Sequence, residues 1–324
     1  MNSIRVHQTG GPEVLRYEQQ EIPSPQSGQV LLRIEATGVN YVDVYNRTGL
    51  YPRQLPFTPG TEVSGVVEAI APDVQGFQPG DRVASARAAG AYAEYTLAPA
   101  DQVVPIPDGV DSRSAAAVML QGMTAHYLTH STYAIQPGDR VLIHAAAGGT
   151  GRLLVQMAKL RGAIVYGTVS TEEKAAMARE AGADVVIDYR LGSFVDEVKR
   201  LTGGEGVHVV YDGVGKATFD GSLALLRTRG FLVLFGGASG PVPPFDPMRL
   251  EAQGSVYLTR PSLRHYTATR DEVLKRAGDI FSLLISGDLR LHIDRVFSLS
   301  EAADAHRALE GRETSGKILL IAGR

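Results

Sequence analysis

The residues with the most chemical meaning lie in one short run, Ala146-Ala147-Gly148-Gly149-Thr150-Gly151. It is preceded by the apolar Val141-Leu142-Ile143-His144-Ala145 and followed at once by Arg152-Leu153-Leu154-Val155-Gln156-Met157-Ala158-Lys159. The spacing is Gly-x-Gly-x-x-Gly with Ala146 in the first place. Small residues there let the backbone approach a pyrophosphate, and the amides that open the following helix meet its charge. A glycine-rich turn alone also serves as a tight bend. The strand before it and the helix after it favour a dinucleotide, cradled by Ala147, Gly148, Gly149, Thr150 and Gly151.

The end of the next strand bears on which dinucleotide. A NAD-selective site places Asp or Glu there, about 20 residues beyond the glycines, to hold the adenosine 2′-hydroxyl. Here Ile164-Val165-Tyr166-Gly167-Thr168-Val169 runs into Ser170, with Lys174 one turn into the following helix and Tyr189 after the third strand. Taken singly, Lys174 reads as readily as a solvated helix lysine. With no acid to repel a phosphate, Ser170, Lys174 and Tyr189 together favour a 2′-phosphate and so NADPH.

Other chemistries find little support. The chain has no Cys, which removes disulfides, thiolate nucleophiles and Cys-ligated metals. Of the eight histidines, His126 and His130 stand at i, i+4 on an expected helix, but no third ligand shares their motif, so no metal site is expected. Lys+Arg 32 against Asp+Glu 35 gives a net charge of −3, too balanced for an electrostatic grip on nucleic acid or anionic lipid. Small-molecule chemistry is the default. The N-terminus has no basic region leading into an apolar one, and no apolar run is long enough for a membrane span, so a cytoplasmic protein is expected.

The elements that must position these residues fall into two grammars. Up to about residue 110, short alternating segments such as Gln29–Ala36, Val63–Ile70 and Tyr92–Leu97 are cut by Gly and Pro, which predicts a β-rich domain. Pro79-Gly80-Asp81-Arg82-Val83 and Pro137-Gly138-Asp139-Arg140-Val141 repeat one turn-into-strand device. From about residue 125 apolar runs alternate with helical patterns, the mark of βαβ units. Val141–Ala145, Ile164–Val169, Val185–Ile187, Val207–Tyr211, Phe231–Phe235 and Ser255–Leu258 predict six strands of a doubly wound parallel sheet. Helices are expected over 152–160, 172–181 and 194–201, with Ser170-Thr171-Glu172-Glu173 as a capping box. A last strand, Lys317–Ile321, is expected to return to the first domain. The class is α/β, a Rossmann-type unit over 125–261 inserted in a β-rich domain of 1–124 and 262–324.

Gly38-Val39-Asn40-Tyr41-Val42-Asp43, Pro59-Gly60-Thr61-Glu62-Val63-Ser64-Gly65, Gly90-Ala91-Tyr92-Ala93-Glu94-Tyr95 and the glycine turn together resemble the medium-chain dehydrogenase/reductase superfamily over nearly the whole chain. Arg47-Thr48-Gly49-Leu50-Tyr51, Ser170–Lys174, Gly240–Pro247 and Leu258-Thr259-Arg260-Pro261 resemble its bacterial NADPH:quinone oxidoreductases related to ζ-crystallin. The resemblance implies a GroES-like catalytic domain around the inserted Rossmann unit. In the zinc branch a Cys stands at the place of Asn40, a His at that of Thr61 and a third ligand near Leu120; none of these residues binds zinc as thiolate or imidazole, so the zinc-free branch is indicated. Asp43 and Glu62 are then expected to be structural hydrogen-bonding residues.

The resemblance further implies an acceptor between the domains near Asn40, Tyr45, Tyr51 and Thr61, with Asn40 and the tyrosines bonding a quinone oxygen. A quinone suits a site without metal, because its reduced oxygen is far less basic than an alkoxide. Cofactor contacts are implied at Asn40, Thr124, Tyr127, Val214, Phe235, Gly236, Ala238, Ser239, Leu258, Thr259, Arg260 and Lys317. Arg152 and Gln121 depart from the residues usual in such relatives. The expected activity is NADPH-dependent quinone reduction. The alternatives are an enal or enone double-bond reductase on the same scaffold, and a nucleotide-dependent RNA-binding or structural protein, which the charge disfavours. A homodimer pairing through the edge near Ser255–Leu258 is also implied.

Overall fold

The short segments at the start of the chain form strands of unequal length, with Gly and Pro recurring in the stretches between them. In the computed structural model, which describes residues 1–322, these are β1 (Asn2–Val6), β2 (Leu15–Gln19), β3 (Gln29–Val39), β4 (Glu62–Ile70), β5 (Arg82–Ser85), β6 (Tyr95–Pro99) and β7 (Val103–Pro105). Helix α1 (Tyr41–Thr48) follows β3, and α2 (Ser112–Tyr127) closes the segment. Alternation along β3 and β4 buries Val30, Leu32, Ile34, Val63 and Val67 against Val83 and Val103. Each such side chain contributes about 1.5–3 kcal/mol by leaving water.

The inserted segment holds β8 (Arg140–Ile143), α3 (Gly149–Leu160), β9 (Ile164–Val169), α4 (Glu172–Glu180), β10 (Val185–Asp188), α5 (Phe194–Leu201), β11 (Val207–Asp212), α6 (Phe219–Ala224), β12 (Leu226–Leu234), α7 (Met248–Ala252), β13 (Tyr257–Thr259) and α8 (Leu263–Tyr266). Its strands are parallel in the order β10-β9-β8-β11-β12-β13, so the winding reverses between β8 and β11. In such sheets ligands bind outside the carboxyl ends of the strands at that reversal. Helices cover both faces, which is why the strands read as unbroken Val, Ile and Leu runs.

The chain then runs through α9 (Arg270–Ser286), β14 (Ile293–Ser298), α10 (Ala302–Glu310) and β15 (Lys317–Ile321). β15 pairs antiparallel with β3 and parallel with β14, completing a seven-stranded sheet of the first unit. The two compact units are Met1–Met123 with Thr267 onward, and Thr124–Tyr266. The return thus falls after Tyr266 rather than at 261, because Tyr266 stacks on Tyr127 at 4.3 Å between ring centroids. Among the described residues no helix is long and apolar enough to cross a membrane.

The repeated Pro-Gly-Asp device has one physical cause. In each copy the Asp carboxylate accepts the amide of the Gln three residues before it, Gln78 to Asp81 and Gln136 to Asp139, both at 2.8 Å. The intervening Gly80 and Gly138 take φ of 99° and 86°, a conformation that other residues resist.

Candidate active site

In the second unit, α3 begins at the glycine turn with Gly148 as N-cap, and no side chain caps it. The opening amides of α3 are therefore left for a ligand's oxygens, at the end of the helix where the dipole favours negative charge. Gly151 is required for the shape of this cradle: a Cβ there would lie 2.1 Å from the Ala145 carbonyl oxygen. These features fit a dinucleotide pyrophosphate.

At the end of β9 the helix cap differs from the expected box. Thr171, not Ser170, caps α4, its hydroxyl accepting the Lys174 amide at 3.1 Å. Ser170 is thereby left out of the cap, half-buried just before it. Lys174 is also half-buried, and Tyr189 is exposed beyond β10.

The remaining expected cofactor contacts gather at the carboxyl ends of β11, β12 and β13. Asp212 ends β11 and accepts the amides of Val214 and Gly215 at 2.8 and 2.9 Å, which pins the Val214 loop. Ser239 is tied to the same loop, its amide and its hydroxyl both donating to the Val214 carbonyl at 2.8 Å. Ala238 donates to the Gly213 carbonyl at 3.2 Å. A Cβ on Gly236 would stand 2.5 Å from that same oxygen, so the Phe235-Gly236 turn needs its glycine. Leu258 and Thr259 lie in β13, and Arg260 donates to the carbonyls of Leu234 and Gly236 at 3.0 and 2.6 Å. Thr124 is half-buried near the end of α2, whereas Tyr127 is only 2% exposed, its ring stacked on Tyr266. Arg152 neither meets solvent nor turns to the cradle: it is buried, with Nη2 on Glu180 Oε2 at 3.2 Å.

The first unit holds a buried polar cluster around Asn40, the N-cap of α1. Asn40 Nδ2 donates to the Gly38 carbonyl at 3.2 Å and to Glu62 Oε2 at 2.8 Å. Its Oδ1 accepts from Lys317 Nζ at 2.7 Å and from Gln121 Nε2 at 3.3 Å. An ammonium only donates and a carboxylate only accepts, so these partners set the orientation of the amide. Asn40 has no spare proton, which differs from the expectation that its amide bonds the acceptor. Lys317 also donates to Glu62 Oε2 and, at 3.4 Å, to the Val39 carbonyl, which accounts for its three ammonium protons. Glu62 Oε1 accepts the Leu120 amide at 2.6 Å. Gly38 makes room for this pair, since a Cβ there would meet Glu62 Oε2 at 2.0 Å.

A second chain of bonds leads away from α1. Arg47, 1% exposed, grips Glu310 through two contacts of 2.8 Å and donates to His306 Nδ1 at 3.0 Å. The proton of the neutral His306 ring must then sit on Nε2, which donates to the Tyr92 hydroxyl at 3.0 Å; Tyr92 in turn donates to Asp43 Oδ2 at 3.2 Å. Burial and the Arg47 charge push His306 down to about 3. Burial pushes Asp43 up to about 7, against the Asn40 amide that donates to it at 2.9 Å and the Lys317 charge.

Thr61 precedes Glu62, and its hydroxyl is buried without a partner among the described residues. Tyr45 and Tyr51 meet edge to face at 5.2 Å between ring centroids, with Tyr51 the more exposed. The cluster does not fit zinc: Asn40 is committed on all four positions, Thr61 is a neutral hydroxyl, Leu120 offers an apolar side chain, and Glu62 is paired to Lys317. His126 and His130 stack at 4.2 Å, and among the described residues no three potential ligands gather.

Sequence reasoning did not single out Asp212, although an acid closing an apolar strand beside a glycine was a usable signal.

Comparison with known proteins agrees with both units. Residues 26–108 match the family model described as alcohol dehydrogenase GroES-like domain, and residues 149–279 that described as zinc-binding dehydrogenase. A quinone oxidoreductase of Pseudomonas aeruginosa is 44% identical over 314 residues, 96% of this chain and 97% of its own. A 2-haloacrylate reductase of a Burkholderia species is 42% identical, covering 98% of this chain and 97% of its own. The crystal structure of Escherichia coli quinone oxidoreductase complexed with NADPH aligns with a TM-score of 0.97 at 41% identity, over 99% of this chain and all of that one.

Proposed function

The chain belongs to the quinone oxidoreductase family, and from that premise we propose that it reduces quinones with NADPH and without a metal. The observation that carries the cofactor reading is the uncapped start of α3, followed at the end of β9 by Ser170 and Lys174 where a NAD site has an acid. When bound, NADPH supplies the hydride. Gly148 to Gly151 hold the pyrophosphate on backbone amides, while Ser170, Lys174 and Tyr189 hold the 2′-phosphate. The Val214 loop, Phe235-Gly236, Ala238-Ser239 and Leu258-Thr259-Arg260 line the remaining length.

In the first unit, Lys317 and Glu62 fix Asn40 and with it the start of α1, which carries Tyr45 toward Tyr51. The tyrosine faces stack on the acceptor ring. Thr61 is the hydroxyl with a proton to give, and it bonds the acceptor oxygen as negative charge arrives there. A homodimer through the open edge of β13, and a cytoplasmic location, complete the reading; among the described residues β13 pairs only with β12.

The test is the initial rate of NADPH oxidation with 1,4-benzoquinone, with NADH in parallel and the enzyme-free rate subtracted. Fast turnover that prefers NADPH is expected. The likeness to 2-haloacrylate reductase favours a second reading, reduction of an activated carbon–carbon double bond. Turnover with 2-chloroacrylate but not benzoquinone would replace the first reading with it.

A further inference from the structure

Three strand ends of the nucleotide unit meet on a buried side chain that the mechanism above does not use. His144 follows β8 directly, 2% exposed, one residue before Ala145 takes φ 51° into the glycine cradle. Its Nδ1 lies 2.9 Å from Thr168 Oγ1, on β9 two residues before Ser170. Its Nε2 lies 2.9 Å from Ser222 Oγ on α6, and Ser222 Oγ lies 2.8 Å from Asp212 Oδ2. Asp212 is the residue that pins the Val214 loop, and it also accepts the Thr218 hydroxyl at 2.7 Å.

The donors fall in one order. Ser222 spends its proton on the Asp212 carboxylate, so its oxygen accepts from His144 Nε2. The bare Nδ1 then accepts from Thr168. Burial favours the neutral ring that this order requires. One imidazole thus bonds the end of β9, which leads to Ser170 and Lys174, and through Ser222 the aspartate at the end of β11. The ends of β8, β9 and β11 cannot shift separately without leaving a buried donor or acceptor unpaired.

We propose that His144 is a positioning residue that holds the 2′-phosphate end of the cofactor site in register with the Val214 end, through Thr168 on one side and Ser222 on the other. This rests on NADPH being the cofactor. The two arms touch different parts of the site, so they separate experimentally. Thr168→Val keeps shape and removes the bond to Nδ1; Ser222→Ala removes the bond toward Asp212.

Equilibrium dissociation constants of NADPH and NADH, read by cofactor fluorescence without any acceptor, are the measurement. Thr168→Val is expected to lower the preference for NADPH over NADH roughly fivefold, and Thr168→Ser, which keeps the hydroxyl, to restore it. Ser222→Ala is expected to weaken both cofactors alike, and His144→Phe to show both effects. A merely structural role would lower the denaturation midpoint and leave the ratio of the two constants alone. An unchanged ratio in Thr168→Val, with wild type preferring NADPH, overturns the proposal even if His144→Phe fails to fold. A wild-type ratio near one overturns the NADPH reading first, and this proposal with it.

Discussion

The Asn40 cluster of the first unit and the Asp212 chain of the second are both buried and rich in hydrogen bonds, yet they end differently. Around Asn40 every donor closes on an acceptor within the cluster: Lys317 on Glu62, Asn40 and a carbonyl, and the Leu120 amide on Glu62. Around Asp212 the bonds run outward, to the amides of Val214 and Gly215 and through Ser222 to His144. The first arrangement makes a rigid floor and leaves chemistry to the neighbouring Thr61 hydroxyl. The second spends its polar groups on holding loops, so ligand contacts fall to backbone amides and to residues beyond it.

The largest effect should come from opening the closed cluster. Glu62→Ala leaves the Lys317 ammonium buried and uncompensated, and removing one partner of a buried pair costs about 3–5 kcal/mol. Urea denaturation should show a loss of that size, and a smaller one in Glu62→Gln with Lys317→Met, which removes both charges but leaves one buried amide without its acceptor. A loss under about 1 kcal/mol would mean that water reaches the pair and that the cluster is not closed.

The outward-facing region should respond in ligand affinity rather than stability. Lys174→Ala is expected to weaken NADPH by about 10- to 100-fold, as for a lost charge-assisted bond. NADH affinity and the urea midpoint should stay in place. Equal weakening of both cofactors would move the 2′-phosphate away from Lys174.

How far these regions were legible in the sequence follows from how local their causes are. The glycine turn and the strands of the parallel sheet announce themselves in runs of a few residues, and Ile164–Val169 and Lys317–Ile321 fold over the residues expected. The cap of α4 lies at Thr171, one residue beyond Ser170, because the two carry equivalent hydroxyls and only the chain's path selects between them. The saturation of Asn40 was hidden, since Lys317 reaches it from 277 residues away. The bond between Tyr92 and His306 spans 214 residues and leaves no pattern at short range. Strand β14 was not expected at all: Ile293-Asp294-Arg295-Val296-Phe297-Ser298 is only partly buried and carries two charges, so it reads as loop until β15 pairs with it.

A smaller effect, in pH, sharpens the contrast within the first unit. Asp43 is raised to about 7 from an ordinary 3.8, so the folded state holds a proton that the unfolded chain has lost, and stability falls as pH rises between those values. His306 is lowered to about 3 from 6.5, so stability falls as pH drops through that window. Between about pH 4 and 6.5 the two slopes oppose each other. Asp43→Asn should unmask the histidine, giving stability that rises by up to about 1.4 kcal/mol per pH unit over that range. Denaturant midpoints across pH would show it, and a flat Asp43→Asn profile would mean that His306 is not neutral in the fold.

The smallest change in structure tests where the chemistry of the first unit resides. If the closed cluster is only a floor, Thr61→Val should cost nothing in stability, because it removes a buried hydroxyl that has no partner among the described residues. With 1,4-benzoquinone, kcat/KM should fall about tenfold, as expected when one hydrogen bond to the acceptor oxygen is lost. NADPH affinity should not move. The opposite pattern, lower stability with kcat/KM intact, would place a bound water on Thr61 as part of the floor, and would pass the donor's role to Tyr45 or Tyr51, which Tyr→Phe substitution at each position would then separate.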